Sequence, residues 1–359
     1  MNIFITCDLG SSIWKKSAIQ ASIFMYKSIE KAGFNVFLLN RFKSDVQKNL
    51  GYKFYDIEDI YLEKFPKIDC IIMSSFEISK PEYLKIKESN PNCKFVLYDH
   101  YYSAAIDQED FVNSRQMRPR TWFADEVWVP EHHAASLEYA KTYHNMDCES
   151  KAIPYLWSPM FISIKKNEKN INFQAESEKK NIVVLENNQN SFKNSLVPML
   201  ICERANHISP ESFDSFSMFN THRLKKNKNI FKFTKQLNID KIKKLFLSGS
   251  WSSFDIYNNI GKYVLSYQEN NILNYLFLEA LYLNLPLIHN SEYIKSYGYY
   301  YNDCNINFAA NQLINAVKNH EDNINVYAEQ NKAMLKSFDP SNPKNVVFFQ
   351  NNLGKHNKS

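Results

Sequence analysis

A chain of 359 residues, 44% hydrophobic and 23% charged, exceeds what one hydrophobic core usually holds and is too apolar for a disordered class. Its mean hydropathy of −0.45, with no apolar run of transmembrane length, excludes a membrane-embedded class, and its net charge of +5 is mild. The six cysteines (Cys7, Cys70, Cys93, Cys148, Cys202, Cys304) include no C-x-x-C pair, which argues against a disulfide framework and a zinc site and for reduced, mostly buried thiols.

The opening Met1-Asn2-Ile3-Phe4-Ile5-Thr6-Cys7 has no basic region, long apolar stretch or small-residue cleavage site, so it reads as a first strand, and a cytoplasmic location is expected. Further strands are expected at Asn35–Leu39, Ile68–Met73, Lys94–Tyr98, Glu126–Val129 and Ala152–Pro154. Between the first two, Ile19, Phe24, Met25, Ile29 and Ala32 recur at helical spacing and Gly33 follows as a stop, giving a strand–loop–helix–strand start. Lys165 to Lys180 mixes Lys, Glu and Asn without periodic apolar residues and reads as an interdomain linker. The rhythm resumes with Asn181–Leu185, a helix around Val197–Asn206, Lys244–Leu247, Tyr263–Tyr267, a helix over Asn274–Leu283, and Pro286–His289. Pro343–Leu353 reads as a final helix capped by Ser341 and packing back on the first domain. The expected architecture is α/β, with two Rossmann-like domains facing across a cleft: 1–162, a linker at 163–180, and 181–338.

No G-x-x-x-x-G-K-[ST], G-x-G-x-x-G or H-E-x-x-H is present, and seven glycines leave little room for glycine-rich loops. There is no D-x-D pair to hold a divalent ion on a diphosphate, so a metal-free site is expected. The informative stretch runs from Tyr263 to Leu281 and on to Pro286-Leu287-Ile288-His289-Asn290-Ser291, as strand, polar loop, helix, strand. A polar loop at the end of a parallel strand, leading into a helix N-terminus, presents N–H groups and a positive dipole end to an anion such as a diphosphate; an ordinary loop with Asn274 capping the helix has the same pattern.

Leu278-Glu279-Ala280-Leu281, followed by Leu285-Pro286-Leu287-Ile288, resembles the L-E-A…G-x-P-V-I signature of retaining glycosyltransferases of the glycosyltransferase-B fold. That resemblance implies that Glu279 holds the ribose hydroxyls of a nucleotide donor. It also implies a second Glu eight residues earlier, facing the transferred sugar, where this chain has Asn271, whose amide hydrogen-bonds without charge. Along nearly its whole length the chain is also similar to an uncharacterised bacterial family, a domain of unknown function that itself resembles glycosyltransferase-B proteins. Gly10, Ile13, Trp14, Gln20, Asp125-Glu126-Val127-Trp128, Pro154-Tyr155-Leu156-Trp157-Ser158-Pro159, Glu186, Asn188 and Lys193 carry that likeness in the first part. Asn220-Thr221, Leu224-Lys225, Asn271, Asn274-Tyr275-Leu276, His289-Asn290-Ser291 and Gly298-Tyr299-Tyr300-Tyr301 continue it.

The candidate substrate-binding residues are Gly10, Ser11, Glu186, Asn188, Asn270, Asn274, Glu279, His289, Asn290, Ser291 and Tyr299; the candidate catalytic residues are His100, Asn271 and Lys193. Lys193 is placed to neutralise a diphosphate, unless it is a plain surface lysine, with Arg223 and Lys225 as alternatives. Gly10 lets a ligand approach backbone closely, or forms a plain turn. His100, and His132 within Glu131-His132-His133, stand at strand ends and serve either as acid–base or hydroxyl-binding groups or as structural histidines. Tyr299, Tyr300 and Tyr301 stack on a ligand or pack a core. From Arg223 to Lys244, nine Lys/Arg stand against Asp240, either a solvated helix face or a surface for phosphates, nucleic acid included.

The expected function is transfer of a sugar from a nucleotide-diphosphate donor, which is a co-substrate, with no other cofactor and no metal. The acceptor (glycan, lipid, protein or modified DNA base) and the oligomeric state are open. The alternatives are an epimerase or hydrolase on the same fold and a non-catalytic sugar-nucleotide or nucleic-acid binder.

Overall fold

The computed structural model of the chain describes residues 1–10, 13, 16–41, 51–62, 65–169 and 179–354. The chain divides into two compact units, Met1–Ser158 with Lys336–Ser359, and Pro159–Leu335. Each is built on one all-parallel sheet.

In the first unit the strands are β1 (Asn2–Thr6), β2 (Asn35–Asn40), β3 (Phe54–Asp56), β4 (Cys70–Met73), β5 (Lys94–Tyr98), β6 (Glu126–Pro130) and β7 (Glu149–Ile153), in the order β3-β2-β1-β4-β5-β6-β7. Phe4, Leu39, Ile71, Phe95 and Val127 from five of these strands meet in one buried cluster. Continuous apolar runs such as Ile3-Phe4-Ile5 are what a sheet covered on both faces requires. The helix Ser17–Lys31 buries Ile19, Phe24 and Ile29, and the chain leaves it through Gly33 at φ +93°, a left-handed conformation that a side chain disfavours.

In the second unit the strands are β8 (Asn181–Val184), β9 (Ser215–Met218), β10 (Leu245–Leu247), β11 (Tyr263–Leu265), β12 (Leu287–His289) and β13 (Tyr299–Tyr300), in the order β10-β9-β8-β11-β12-β13. Both sheets therefore run outward from their first strand in one direction and then reverse, the doubly wound pattern with its switch point between β1 and β4 or between β8 and β11. The helices Leu196–Ile208 and Ile306–Asn319 cover one face of the second sheet, with Ile201, Ala205, Leu313 and Ala316 in its core.

Three short strands, β3, β9 and β13, go beyond the sequence expectation, and β7 runs over Glu149–Ile153 rather than Ala152–Pro154. The expected linker begins inside a helix, Met160–Lys169, that buries Phe161 and Ile162; residues 170–178 lie outside the described residues. The C-terminal helix Pro343–Gly354 is capped by Asn342, whose Oδ1 accepts the Lys344 N–H at 3.0 Å, rather than by Ser341. Among the described residues no helix is long and apolar enough to cross a membrane, and five of the six cysteines are buried and unbridged, Cys304 being exposed.

The C-terminal helix belongs to the first unit. It packs on the helix Ser17–Lys31, and the buried Phe349 ring lies 6.1 Å from that of Trp128. Phe349→Ala leaves a cavity there and is expected to lower unfolding free energy by about 3–5 kcal/mol, read by urea denaturation. A loss under 1 kcal/mol by the same measurement counts against the helix as part of this core.

Candidate functional site

In doubly wound sheets ligands bind beyond the carboxyl ends of the strands, at the switch point. In the second unit that point lies between the loops following β8 and β11, and the chain concentrates polar side chains there. Glu186, two residues past β8, is buried; it accepts a hydrogen bond from the Ser266 hydroxyl on Oε1 and from Gln268 Nε2 on Oε2 at 3.0 Å. The Glu269 N–H donates to the Phe192 carbonyl at 2.9 Å, so backbone as well as side chains joins the two loops.

Gln268 is the hub of this cluster. Its Oε1 receives Asn271 Nδ2 and, at 2.9 Å, Asn274 Nδ2. Its backbone is clamped by Asn290, which donates to the Gln268 carbonyl and accepts the Gln268 N–H, both at 3.0 Å. Asn274 Oδ1 caps the helix Tyr275–Tyr282 by accepting the Phe277 N–H at 3.0 Å, and the Ser291 hydroxyl donates to the Ile272 carbonyl. Asn270 takes a left-handed φ of +54° at the turn of the loop. The Leu276 N–H, in the first turn of the helix, has no intrahelical acceptor and lies at the end of the macrodipole that favours an anion.

Lys193 lies beside Glu186, and Glu279 lies on the helix that Asn274 caps. Lys193 sits in a tight turn, its N–H on Asn190 Oδ1 at 3.0 Å and its carbonyl accepting the Asn188 N–H at 3.1 Å. Burial lowers its ammonium below the usual lysine range, opposed by the neighbouring Glu186, whose own carboxyl is raised by burial and held back by Ser266 and the Lys193 charge. Glu279, buried one turn into the helix, accepts the Ser253 hydroxyl at 3.1 Å on Oε2; burial pushes its carboxyl up to about 7. Trp251, two residues before Ser253, is 54% exposed, its ring 6.2 Å from that of Phe219.

Several expected ligand-binding residues have their polar groups turned to partners within the protein. Glu186 has both carboxylate oxygens taken by protein donors. Asn188, at φ +55°, donates to the Glu186 and Phe219 carbonyls and accepts the Ser195 N–H at 2.8 Å, which uses its whole amide. His289 is buried, its Nε2 donating to the Tyr297 carbonyl at 2.7 Å and its Nδ1 accepting the Ser291 N–H at 3.1 Å; burial pushes its pKa down to about 4, so both nitrogens of the neutral ring are occupied. Tyr299 is not brought to the cluster. Its hydroxyl meets His320 Nδ1 at 3.1 Å, its ring stacks 6.0 Å from Tyr327, and Tyr327 bonds Leu285 and Leu287 at the amino end of β12, opposite the loops. Tyr301, by contrast, is buried and donates to the Ser266 carbonyl at 2.7 Å.

In the first unit, Gly10 is exposed in the turn after β1, and Ser11 lies outside the described residues. His100 follows β5, and its Nε2 lies 2.9 Å from the Ser74 carbonyl, an atom that only accepts; Nε2 therefore carries the hydrogen and Nδ1 the lone pair. Burial lowers its pKa to about 4, which keeps the ring neutral at pH 7. His132 and His133 pack with each other, with Tyr155 and with Tyr102. The basic stretch folds into three short helices, His222–Lys226, Lys228–Thr234 and Asn238–Lys241. Lys235 pairs with Asp240 at 2.9 Å and Lys244 donates to the Pro210 and Phe213 carbonyls, while Arg223, Lys225, Lys226, Lys228 and Lys232 are exposed.

Sequence reasoning missed Ser266, Gln268, Ser253 and Trp251. The first two stand immediately after β11, where a polar residue ending an apolar strand beside the switch point is the available signal. Ser253 and Trp251 follow β10 and carry no such signal.

The family described as a protein of unknown function (DUF2827) matches residues 3–353. No curated protein matches the chain. Among solved structures, a glycosyltransferase from Rickettsia africae is 13% identical, with 99% of this chain and 98% of that one aligned at a TM-score of 0.54. A mutant of S. aureus TarM, in complex with fondaparinux, alpha-GlcNAc-glycerol and UDP, is 10% identical over 100% of both chains at 0.59. Anabaena Alr3699/HepE, in complex with UDP-glucose, is 11% identical over 99% and 98% at 0.54. At such identities the likeness establishes the fold, the glycosyltransferase-B type with two Rossmann-like domains, which the strand orders of both sheets already describe. The chain is a member of the DUF2827 family of proteins of unknown function.

Proposed function

We propose that the chain is a glycosyltransferase that takes a sugar from a nucleotide-diphosphate donor without a divalent metal. The observation that carries this reading is the Lys193 ammonium beside Glu186 at the switch point of the second sheet, next to the helix N-terminus that Asn274 caps, with the buried Glu279 carboxyl one turn along that helix. Glu279 accepts the two ribose hydroxyls, and Trp251, exposed two residues before the Ser253 that holds Glu279, is a face for the base. Lys193 and the Leu276 N–H, at the helix N-terminus, receive the diphosphate. When the bond from the anomeric carbon to the diphosphate oxygen breaks, negative charge grows on that oxygen, and these fixed positive groups stabilise it. In the first unit His100, neutral with its Nδ1 lone pair, is the proposed partner for a substrate hydroxyl. The solved structures of similar fold that carry UDP or UDP-glucose favour a uridine donor.

Three measurements test the reading. Glu279→Ala is expected to weaken UDP binding by about ten- to a hundredfold in calorimetric titration, the cost of a hydrogen bond to a charged group being roughly 1.5–3 kcal/mol. Unchanged affinity removes Glu279 from the site. Donor binding is expected to stay the same in EDTA; its loss, restored by Mg²⁺ or Mn²⁺, overturns the metal-free model. Release of free sugar with no acceptor product points to a hydrolase instead.

A further measurement is pH dependence. The Glu279 carboxyl is raised by burial from 4.5 to about 7, so the folded state holds this proton more tightly than the unfolded chain does. Its stability contribution is full below about pH 4.5 and is lost as pH rises through about 7. Glu279→Gln removes that dependence. Relative to the parent, the variant is expected to gain stability between pH 5 and pH 8, by at most about 3 kcal/mol, in parallel melting curves.

A further inference from the structure

The basic stretch after β9 takes no part in the Gln268 cluster, and most of its cations have nothing within the protein to neutralise them. Leu237, Ile239 and Leu245 are buried in the core of the second unit and pin the stretch against the edge of its sheet, where β10 is the last strand. Asn227 joins the helices His222–Lys226 and Lys228–Thr234: its N–H donates to the Leu224 carbonyl, and its Oδ1 accepts the Asn229 and Ile230 N–H groups. The Lys235–Asp240 pair ties the second helix to the third, and Lys244 spends its ammonium on two backbone carbonyls. Arg223, Lys225 and Lys226 on the first helix, Lys228 and Lys232 on the second, and Lys241 and Lys243 around the third are exposed. Among the described residues none of these has an acidic partner.

Large apolar side chains stand exposed among these cations, Phe231 at 47% and, between Lys241 and Lys243, Ile242 at 49%. Lys228, Phe231, Lys232 and Lys235 follow the i, i+3, i+4, i+7 spacing of one helical face, and the Lys235 ammonium lies 5.2 Å from the centre of the Phe231 ring. We propose that this stretch docks the protein on an anionic lipid bilayer, its cations meeting the headgroup charge and Phe231 and Ile242 entering the apolar boundary beneath. Unpaired charge of one sign requires an anionic surface, and the side chains between the charges decide which. All of the unpaired cations but Arg223 are lysines, hydrated point charges that suit a diffuse headgroup layer better than the bidentate reading of bases. Ile242 has no planar face to stack on a base, whereas it and Phe231 both gain by leaving water at the acyl boundary. The proposal does not rest on the nucleotide reading.

The test is co-sedimentation of the full chain with vesicles of phosphatidylcholine alone and of phosphatidylcholine with about one third phosphatidylglycerol, each at low and at high salt. The parent is expected to pellet with the anionic vesicles at low salt, to stay in solution with the neutral ones, and to be released by high salt. Lys225→Gln, Lys226→Gln, Lys228→Gln and Lys232→Gln combined is expected to weaken vesicle affinity at least about tenfold, and Phe231→Ser alone about three- to tenfold. A matched variant, Lys31→Gln, Lys318→Gln, Lys332→Gln and Lys336→Gln combined, removes as many exposed charges elsewhere and is expected to bind as the parent does. All the lysines replaced are exposed, so both lysine variants are expected to keep the parent's melting temperature. No pelleting with anionic vesicles at low salt, equal pelleting with neutral ones, an equal loss in the matched variant, or unchanged affinity in the patch variant or in Phe231→Ser each overturns the proposal. Binding of a DNA duplex that persists at the salt releasing the vesicles assigns the stretch to nucleic acid and overturns it too. Each of these outcomes is read whether or not the parent binds a nucleotide.

Discussion

The second unit is organised around one buried carboxylate. Glu186 stands at the point where the strand order reverses, between β8 and β11, where no neighbouring loop fills the space automatically. A carboxylate there is costly unless its lone pairs are used, and the fold supplies Ser266 and Gln268 to use them. From those two residues hydrogen bonds spread to Asn271, Asn274, Asn290 and, through the Ser266 carbonyl, to Tyr301. Within the polar loop, Gln268 and Asn274 each have both ends of their amides assigned.

The same economy explains why several polar residues near the site are not themselves ligand groups. His289 spends both ring nitrogens on the turn that leads to β13, and the backbone presses so close there that only glycine fits. A Cβ at Gly298, at φ +68°, would lie 2.8 Å from the Leu287 carbonyl oxygen and 2.9 Å from His289 Nε2. Asn188 and Asn220, both in left-handed conformations, fold the loops after β8 and β9 by binding the Glu186 carbonyl. Among the described residues the Leu276 N–H at the start of the helix Tyr275–Tyr282 and the Asn271 Oδ1 have no such protein partner.

The duplicated strand order gives the first unit a matching switch point between β1 and β4, furnished differently. Asp8 there pairs with Lys16 at 2.7 Å, and Ser74 links the Ser22 hydroxyl to His100. Burial that keeps His100 neutral also leaves it with an unprotonated nitrogen at pH 7, whereas the paired nitrogens of His289 have nothing left to give. Two histidines at strand ends, indistinguishable as sequence, thus differ in what they can do.

The sequence by itself determined the α/β class, the two Rossmann-like units and most of the strands, because apolar runs such as Ile3-Phe4-Ile5 and Ile182-Val183-Val184 can be satisfied only in a sheet covered on both faces. It also located the polar loop and the helix that follows it, since an asparagine before an apolar helix has one strong local use. It did not show β9, whose Ser215 and Ser217 break up Phe216 and Met218, nor the edge strands β3 and β13, which are too short for any periodicity. Only the tertiary structure decided which polar side chains face one another. Gln268 is 82 residues from Glu186, and the hydrogen bond between them exists only because two parallel strands distant in sequence lie side by side.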